Sequence, residues 1–166
     1  DTVYLCYDGD IAGRKATIAA GYNLMRGGIN VKIVIVPEGS DPDSWVKEFG
    51  AHDFKKGLKD AKDLITFHFE NTLFDITDAT QQSKLANEIA HELTTINDDI
   101  IRRELVRQVA EKLSVDEISI MRLIESKGRR INQKQIIDVK NENYQSSLYK
   151  AEEEIVKLLI SSNVEV

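Results

Sequence analysis

Cysteine is nearly absent: the 166 residues hold one, Cys6, inside an apolar run and without a partner. A disulfide framework is thereby excluded, and a reducing cytoplasm is the expected setting. No apolar stretch nears the ~18–20 residues that a spanning helix needs, and no signal peptide opens the chain, so no membrane partner is expected. Positive charge is also short, with 22 Lys and Arg against 28 Asp and Glu and a formal net charge of −6. The surface as a whole therefore lacks the field that nucleic acid needs. Phosphates would have to be met locally, through metal ions or through basic residues supplied elsewhere. His52, His68 and His91 lie far apart with no Cys or His at ligand spacing, which argues against zinc. No GxxxxGK(S/T) phosphate loop occurs. An initiator methionine is missing too: the chain begins on a strand-like run, as a piece of a larger protein would.

What is present begins with "TVYLCY" (Thr2 to Tyr7), β-rich and without clean alternation, the pattern of a strand covered on both faces. Beyond it Ala12, Ala16, Ala19, Ala20 and Leu24 recur at helical spacing, small enough to pack closely on a sheet. "RGG" (Arg26 to Gly28) stops that helix, and "VKIVIV" (Val31 to Val36) reads as a second buried strand ended by Pro37. Strand, helix and strand in roughly 30 residues are the size of one right-handed βαβ unit with parallel strands. In "EGSDPDSWVKEFG", Asp41 before Pro42 is a natural N-cap and Gly50 ends a short helix.

The rest reads as helix. Phe54, Leu58, Ala61, Ile65 and Phe69 share one side of a stretch that breaks near Asp63. Leu85, Ile89, Leu93 and Ile96 mark a further helix, and Ile101, Leu105, Val109 and Leu113 another. Ser114 and Glu117 suggest a capping box for the next. Amphipathic helices with short turns predict a small antiparallel bundle. Residues 126–146 lose the apolar period and read as an exposed basic linker. "LYKAEEEIVKLLISS" (Leu148 to Ser162) regains helical spacing and looks like the first helix of a further module.

The acids of the first 43 residues carry the chemistry. Asp10, Asp41 and Asp43 each have a local explanation, as two caps and a first-turn acid suited to the helix dipole. Asp8 has none, because a strand terminus needs no carboxylate. In a βαβ unit both strand ends meet at one edge, where open parallel sheets bind ligands. Asp8, Asp10, Asp41 and Asp43 are thus expected to converge with no Lys or Arg beside them, and four such charges repel unless a hard cation intervenes. Oxygen-only donors favour magnesium or manganese over zinc. Arg14 and Lys15 read as a solvated first turn, Trp45 as a packing residue, and Arg102, Arg103 and Arg107 as a salt-bridged surface.

"DGDIAGRKA" together with "PEGSDPDSWVKEFG" resembles the metal-binding half of the Toprim domain of bacterial replicative DNA primases. "DLITFHFENTLFD" and "RRELVRQVAEKLSV" resemble the helical subdomain that completes the primase core. The resemblance implies an α/β plus α fold: residues 1–60 as the C-terminal half of a Toprim parallel-sheet domain, and 61–125 as a helical subdomain. A linker over 126–146 and the start of a helicase-binding region over 147–166 would follow. It implies a DNA-directed RNA polymerase that makes short primers on a single-stranded DNA template from ribonucleoside triphosphates. Asp8 and Asp10 would be catalytic, and Asp8, Asp10, Asp41 and Asp43 would bind Mg2+ or Mn2+, at replication forks in the bacterial cytoplasm and with a replicative helicase as partner. The family's catalytic glutamate, zinc module and basic N-terminal subdomain have no counterpart here, so the chain alone is expected to be inactive. Among alternatives, aspartyl phosphatases of the haloacid dehalogenase type want Thr or Val where Ala12 stands. Phage-type primase-helicases lead to a Walker loop, and topoisomerase Toprim domains lack the DPD helix. A helical docking module for the helicase is the non-enzymatic alternative.

Overall fold

The computed structural model describes residues 1–130, and residues 1–125 form one compact unit. Strand β1 (Thr2–Leu5), helix α1 (Ile11–Arg26) and strand β2 (Asn30–Ile33) form the expected βαβ unit, followed by helix α2 (Pro42–Lys59). Strand β3 (Lys62–Asp63) leads into helices α3 (Leu64–Glu70), α4 (Ala79–Leu93) and α5 (Asp99–Leu113). The sheet order is β1-β2-β3, with β1 and β2 parallel and Thr2 opposite Asn30. β3 runs antiparallel to β2, pairing Asp63 with Lys32 and Lys62 with Ile33. A two-residue strand leaves no period to read, which is why the sequence does not announce it.

β1 is not covered on both faces. Leu5 is buried whereas Tyr4 is half exposed, and the alternation of side chains puts Cys6 on the Tyr4 face. Helices α1 and α3 cover the Leu5 face, where Val31, Ile33, Tyr22, Met25 and Leu64 join one core. The other face is covered only toward the strand ends. There Trp45 of α2 packs with Val34, Val36, Cys6, Phe54, Leu58 and Ala61. Trp45 stands edge-on to Phe54, 5.6 Å between centroids, as packing rather than base stacking would have it. Gly50, at φ 81°, breaks the helical path inside α2 where the short helix was expected to end. The side of Phe54, Leu58 and Ala61 thus belongs to this small cluster, whereas Ile65 sits in the main core.

Helix α1 turns a different face inward from the one its alanines suggest. Thr17, Gly21, Tyr22 and Met25 are buried and Ala20 and Leu24 pack against the core as expected, while Ala12, Ala16 and Ala19 are exposed. Burying Tyr22 and Met25 removes far more apolar area from water than burying three methyl groups, so the larger side chains set the rotation.

The helical segment follows its periodicity: Leu85, Ile89, Leu93, Ile96, Leu105, Val109 and Leu113 are all buried in the main core. Ser114 does not open the next helix. It ends α5 in the left-handed region at φ 54°, and Asp116 caps the following turn by accepting from the Ser119 amide at 2.8 Å. The expected capping box does not form: the cap lies two residues on, at Asp116, which accepts from both the amide and the hydroxyl of Ser119. A helix then runs over 117–130, so 126–130, within the stretch read as linker, are helical. The rest of that stretch and the module expected over 147–166 lie outside the described residues.

His68 is buried between α1 and α4, with Nδ1 at 3.0 Å from the Tyr22 hydroxyl and Nε2 at 3.7 Å from Glu88. Burial pulls its imidazole from 6.5 down to about 4, against the pull of that carboxylate. The unfolded chain therefore takes up a proton near pH 6.5 that the folded chain refuses until about 4. This share of stability is complete above pH 6.5 and shrinks as pH falls, by up to about 3 kcal/mol below pH 4. Urea unfolding across pH 4–7 checks it: a His68→Gln variant is expected to flatten the slope, and an unchanged slope would refute the assignment.

Candidate acidic site at the sheet edge

Two loops meet where β1 and β2 end. The Gly9 amide donates to the Ser40 carbonyl at 2.9 Å, tying residues 8–10 to residues 37–41. The approach is close enough that a Cβ on Gly9 would lie 2.1 Å from the Pro37 carbonyl oxygen. A Cβ on Gly13 would lie 2.2 Å from the Asp8 carbonyl oxygen. Both glycines are therefore demanded by backbone packed on backbone.

The four acids share this edge but do not gather into one cage. Asp10 caps α1, its Oδ1 accepting from the Gly13 amide at 2.6 Å. Asp41 caps α2, accepting from the Ser44 amide at 2.8 Å and the Ser44 hydroxyl at 2.7 Å, and these bonds hold its carboxyl below the usual range. Asp43 pairs with Lys47 one turn on, at 2.5 Å. Among the described residues no group of three or more His, Cys, Asp and Glu could hold a metal ion. The expected convergence without a neighbouring cation is thus corrected: helix capping turns Asp10 and Asp41 toward their own amides, and Lys47 neutralises Asp43. The Asp43–Lys47 spacing of four is legible in the sequence as a helical ion pair. Asp8 is exposed, and its side chain makes no hydrogen bond or ion pair within the described residues.

Arg14 is more than a solvated first-turn residue. Its Nη2 donates to the Gly9 carbonyl at 3.1 Å and lies 3.6 Å from Glu38. With Asp8 and Thr17 it lines a cleft of about 200 Å³ that also takes in Lys62, Glu70 and Asn71. Lys62 and Glu70 form an ion pair there. Thr17, Lys62 and Glu70 come from three elements, and no local pattern marks them as neighbours of Asp8.

Magnesium takes oxygen donors, commonly one or two carboxylates, with water and substrate phosphates completing its shell. Asp8 and the Oδ2 of Asp10, which the cap leaves out, meet that donor chemistry. Among the described residues no site of three or more protein carboxylates forms.

Comparison with known proteins places this edge in a family. Residues 1–46 match the family model described as Toprim-like, and residues 73–117 match the DnaB-helicase binding domain of primase. A DNA primase of Clostridium acetobutylicum is 29% identical over 95% of the chain, and one of Halalkalibacterium halodurans is 30% identical over 69%. The chain spans only 28% and 20% of those two proteins. A DNA primase domain from Pseudomonas aeruginosa superposes with a TM-score of 0.63 at 27% identity, over 75% of this chain and 40% of that one. The helicase-binding match falls on α4 and α5 and not on the terminal stretch 147–166. With a Toprim-like region of small, partly parallel sheet followed by helices like those of primase cores, the chain is similar to DNA primases over most of its length.

Proposed function

We propose that this chain is the acidic half of a primase Toprim domain with its adjoining helices, working inside a longer protein that synthesises short RNA primers on single-stranded DNA. The supporting observation is the joining of two acid-bearing loops at the strand ends by the Gly9–Ser40 bond, within the segment that matches the Toprim-like model. Asp8 and Asp10 are the catalytic candidates and would hold a magnesium or manganese ion together with substrate phosphates. The chemistry such an ion supplies is charge neutralisation on the reacting phosphates and a lowered pKa for the attacking hydroxyl. The chain's own part is to hold Asp8 exposed at the edge and to fix Asp10 through its cap. Asp41 acts chiefly as a cap, and Asp43, its charge offset by Lys47, contributes least.

The division at 60, 125 and 146 stays a proposal with three changes: β3 extends the sheet region to Asp63, the helix over 117–130 runs through the boundary at 125, and helicase contact goes with α4 and α5 because of the 73–117 match. Cytoplasmic action at replication forks goes with this assignment. Among the described residues no helix is long and apolar enough to cross a membrane.

The complete protein, given ribonucleoside triphosphates, single-stranded DNA and magnesium or manganese, is expected to yield short RNA products. No product with either metal on any template would overturn the assignment. A pull-down of the replicative helicase tests the second part. Capture is expected with the complete protein and should be lost when exposed α4–α5 side chains such as Arg103 and Ile100 are replaced together. Full retention would refute the placement.

A further inference from the structure

We infer that Arg14 is a positioning residue: its guanidinium grips the Gly9 carbonyl and thereby sets where Asp8 and Asp10 stand. The inference rests on the proposed role of those two acids. Gly9 lies between them, and its two backbone polar groups belong to the two peptide planes that join it to its neighbours. The amide, in the Asp8–Gly9 plane, is held by the Ser40 carbonyl at 2.9 Å. The carbonyl, in the Gly9–Asp10 plane, is held by Arg14 Nη2 at 3.1 Å. Both planes are therefore pinned from outside the loop, one by the neighbouring loop and one by α1. Asp10 is then fixed at its side chain by the Gly13 amide, which leaves the side-chain torsions of Asp8 as the freedom that remains.

The guanidinium suits this task. Arg14 sits in the first turn of α1, only 35% exposed, and a charged donor to a carbonyl in a partly desolvated place is stronger than a neutral one. Its other partner is weak. Glu38 is 86% exposed and 3.6 Å away, the kind of surface pair that contributes little. The carbonyl contact, and not the ion pair, is what places the acids. Lysine at this position keeps the charge but offers a compact ammonium with a shorter reach, without the planar fork.

The complete protein carrying Arg14→Ala is expected to lose about 10–100-fold in kcat for primer synthesis, the range for losing a charged hydrogen bond that orients reacting groups. KM for nucleotide should stay within about threefold, since the contact removed is one to the chain's own backbone. Amide exchange over residues 7–13 should accelerate about tenfold or more, with Tm little changed. Arg14→Lys is expected to recover part of both losses, whereas Glu38→Gln should match the wild type. Wild-type kcat in Arg14→Ala, or a kcat loss with unchanged exchange over 7–13, would overturn the inference. Asp8→Asn run beside it separates the two levels. Normal priming by that variant defeats the acid assignment itself, while an inactive Asp8→Asn beside a normal Arg14→Ala defeats only the role of Arg14.

Discussion

Asp8→Asn in the complete protein is expected to lower primer synthesis by about 100–1,000-fold, the usual loss when one preorganised group facing the reacting charge is removed. Its melting temperature should stay the same or rise slightly. Asp8 makes no stabilising bond or ion pair among the described residues, and removing one negative charge relieves the repulsion from Asp10 on the same loop. The relief is small, because Asp43 already has Lys47 and the edge carries less uncompensated charge than four bare acids would. A gradient follows from the partners. Asp10→Asn keeps a cap-competent side chain and so loses activity without much stability, whereas Asp43→Asn, already neutralised by Lys47, loses least. Initial rates of ribonucleotide incorporation, taken with thermal scans of the same samples, test this order. An Asp8→Asn protein that primes normally would remove the chemical basis of the site.

Gly9→Ala is expected to damage both stability and activity, the reverse of the Asp8 pattern. The added methyl would meet three backbone atoms: the Pro37 oxygen at 2.1 Å, the Pro37 carbon at 2.7 Å and the Val36 oxygen at 2.9 Å. No rotamer change relieves a clash with backbone, so the two loops must part and the Gly9–Ser40 bond lengthens or breaks. Such overpacking costs about 1–3 kcal/mol, or a Tm loss of roughly 3–10 °C in a domain of this size. Displacing Asp8 and Asp10 by even about 1 Å is worth up to a further 100-fold in rate. Gly13→Ala strikes the same loop from the other side, with its methyl 2.2 Å from the Asp8 oxygen. Differential scanning calorimetry beside the priming assay checks both. A Gly9→Ala protein with wild-type Tm would mean that the loops are not packed as described.

The contrast between these variants shows which parts of the site can be read without a structure. Asp10 before "IAGRKA" and Asp41 before Pro42 are legible as caps because a cap is defined by the few residues that follow it. The β1–α1–β2 unit is legible because apolar runs and turn residues are local too. The primase family is legible from the pairing of the two acid-bearing motifs. Asp43–Lys47 was equally open to a count of four, yet the grouping of acids by sheet edge alone passes over it. The Arg14 contact with Gly9 was not legible. The residues are five apart across a strand-to-helix turn, a spacing with no fixed geometry.

By itself the order of residues decided that two parallel strands would flank a helix, that Asp8 and Asp10 would stand between the first strand and that helix, and that amphipathic helices would follow. Short-range sterics and hydrophobic period are enough for that. Tertiary structure decided which way each acid turned, which face of α1 went inward and which cations came to the edge. Those outcomes depend on competition between distant partners for the same side chain: Tyr22 and Met25 against the alanines, the Gly13 amide and Lys47 against a shared ion. No window of neighbouring residues contains both competitors.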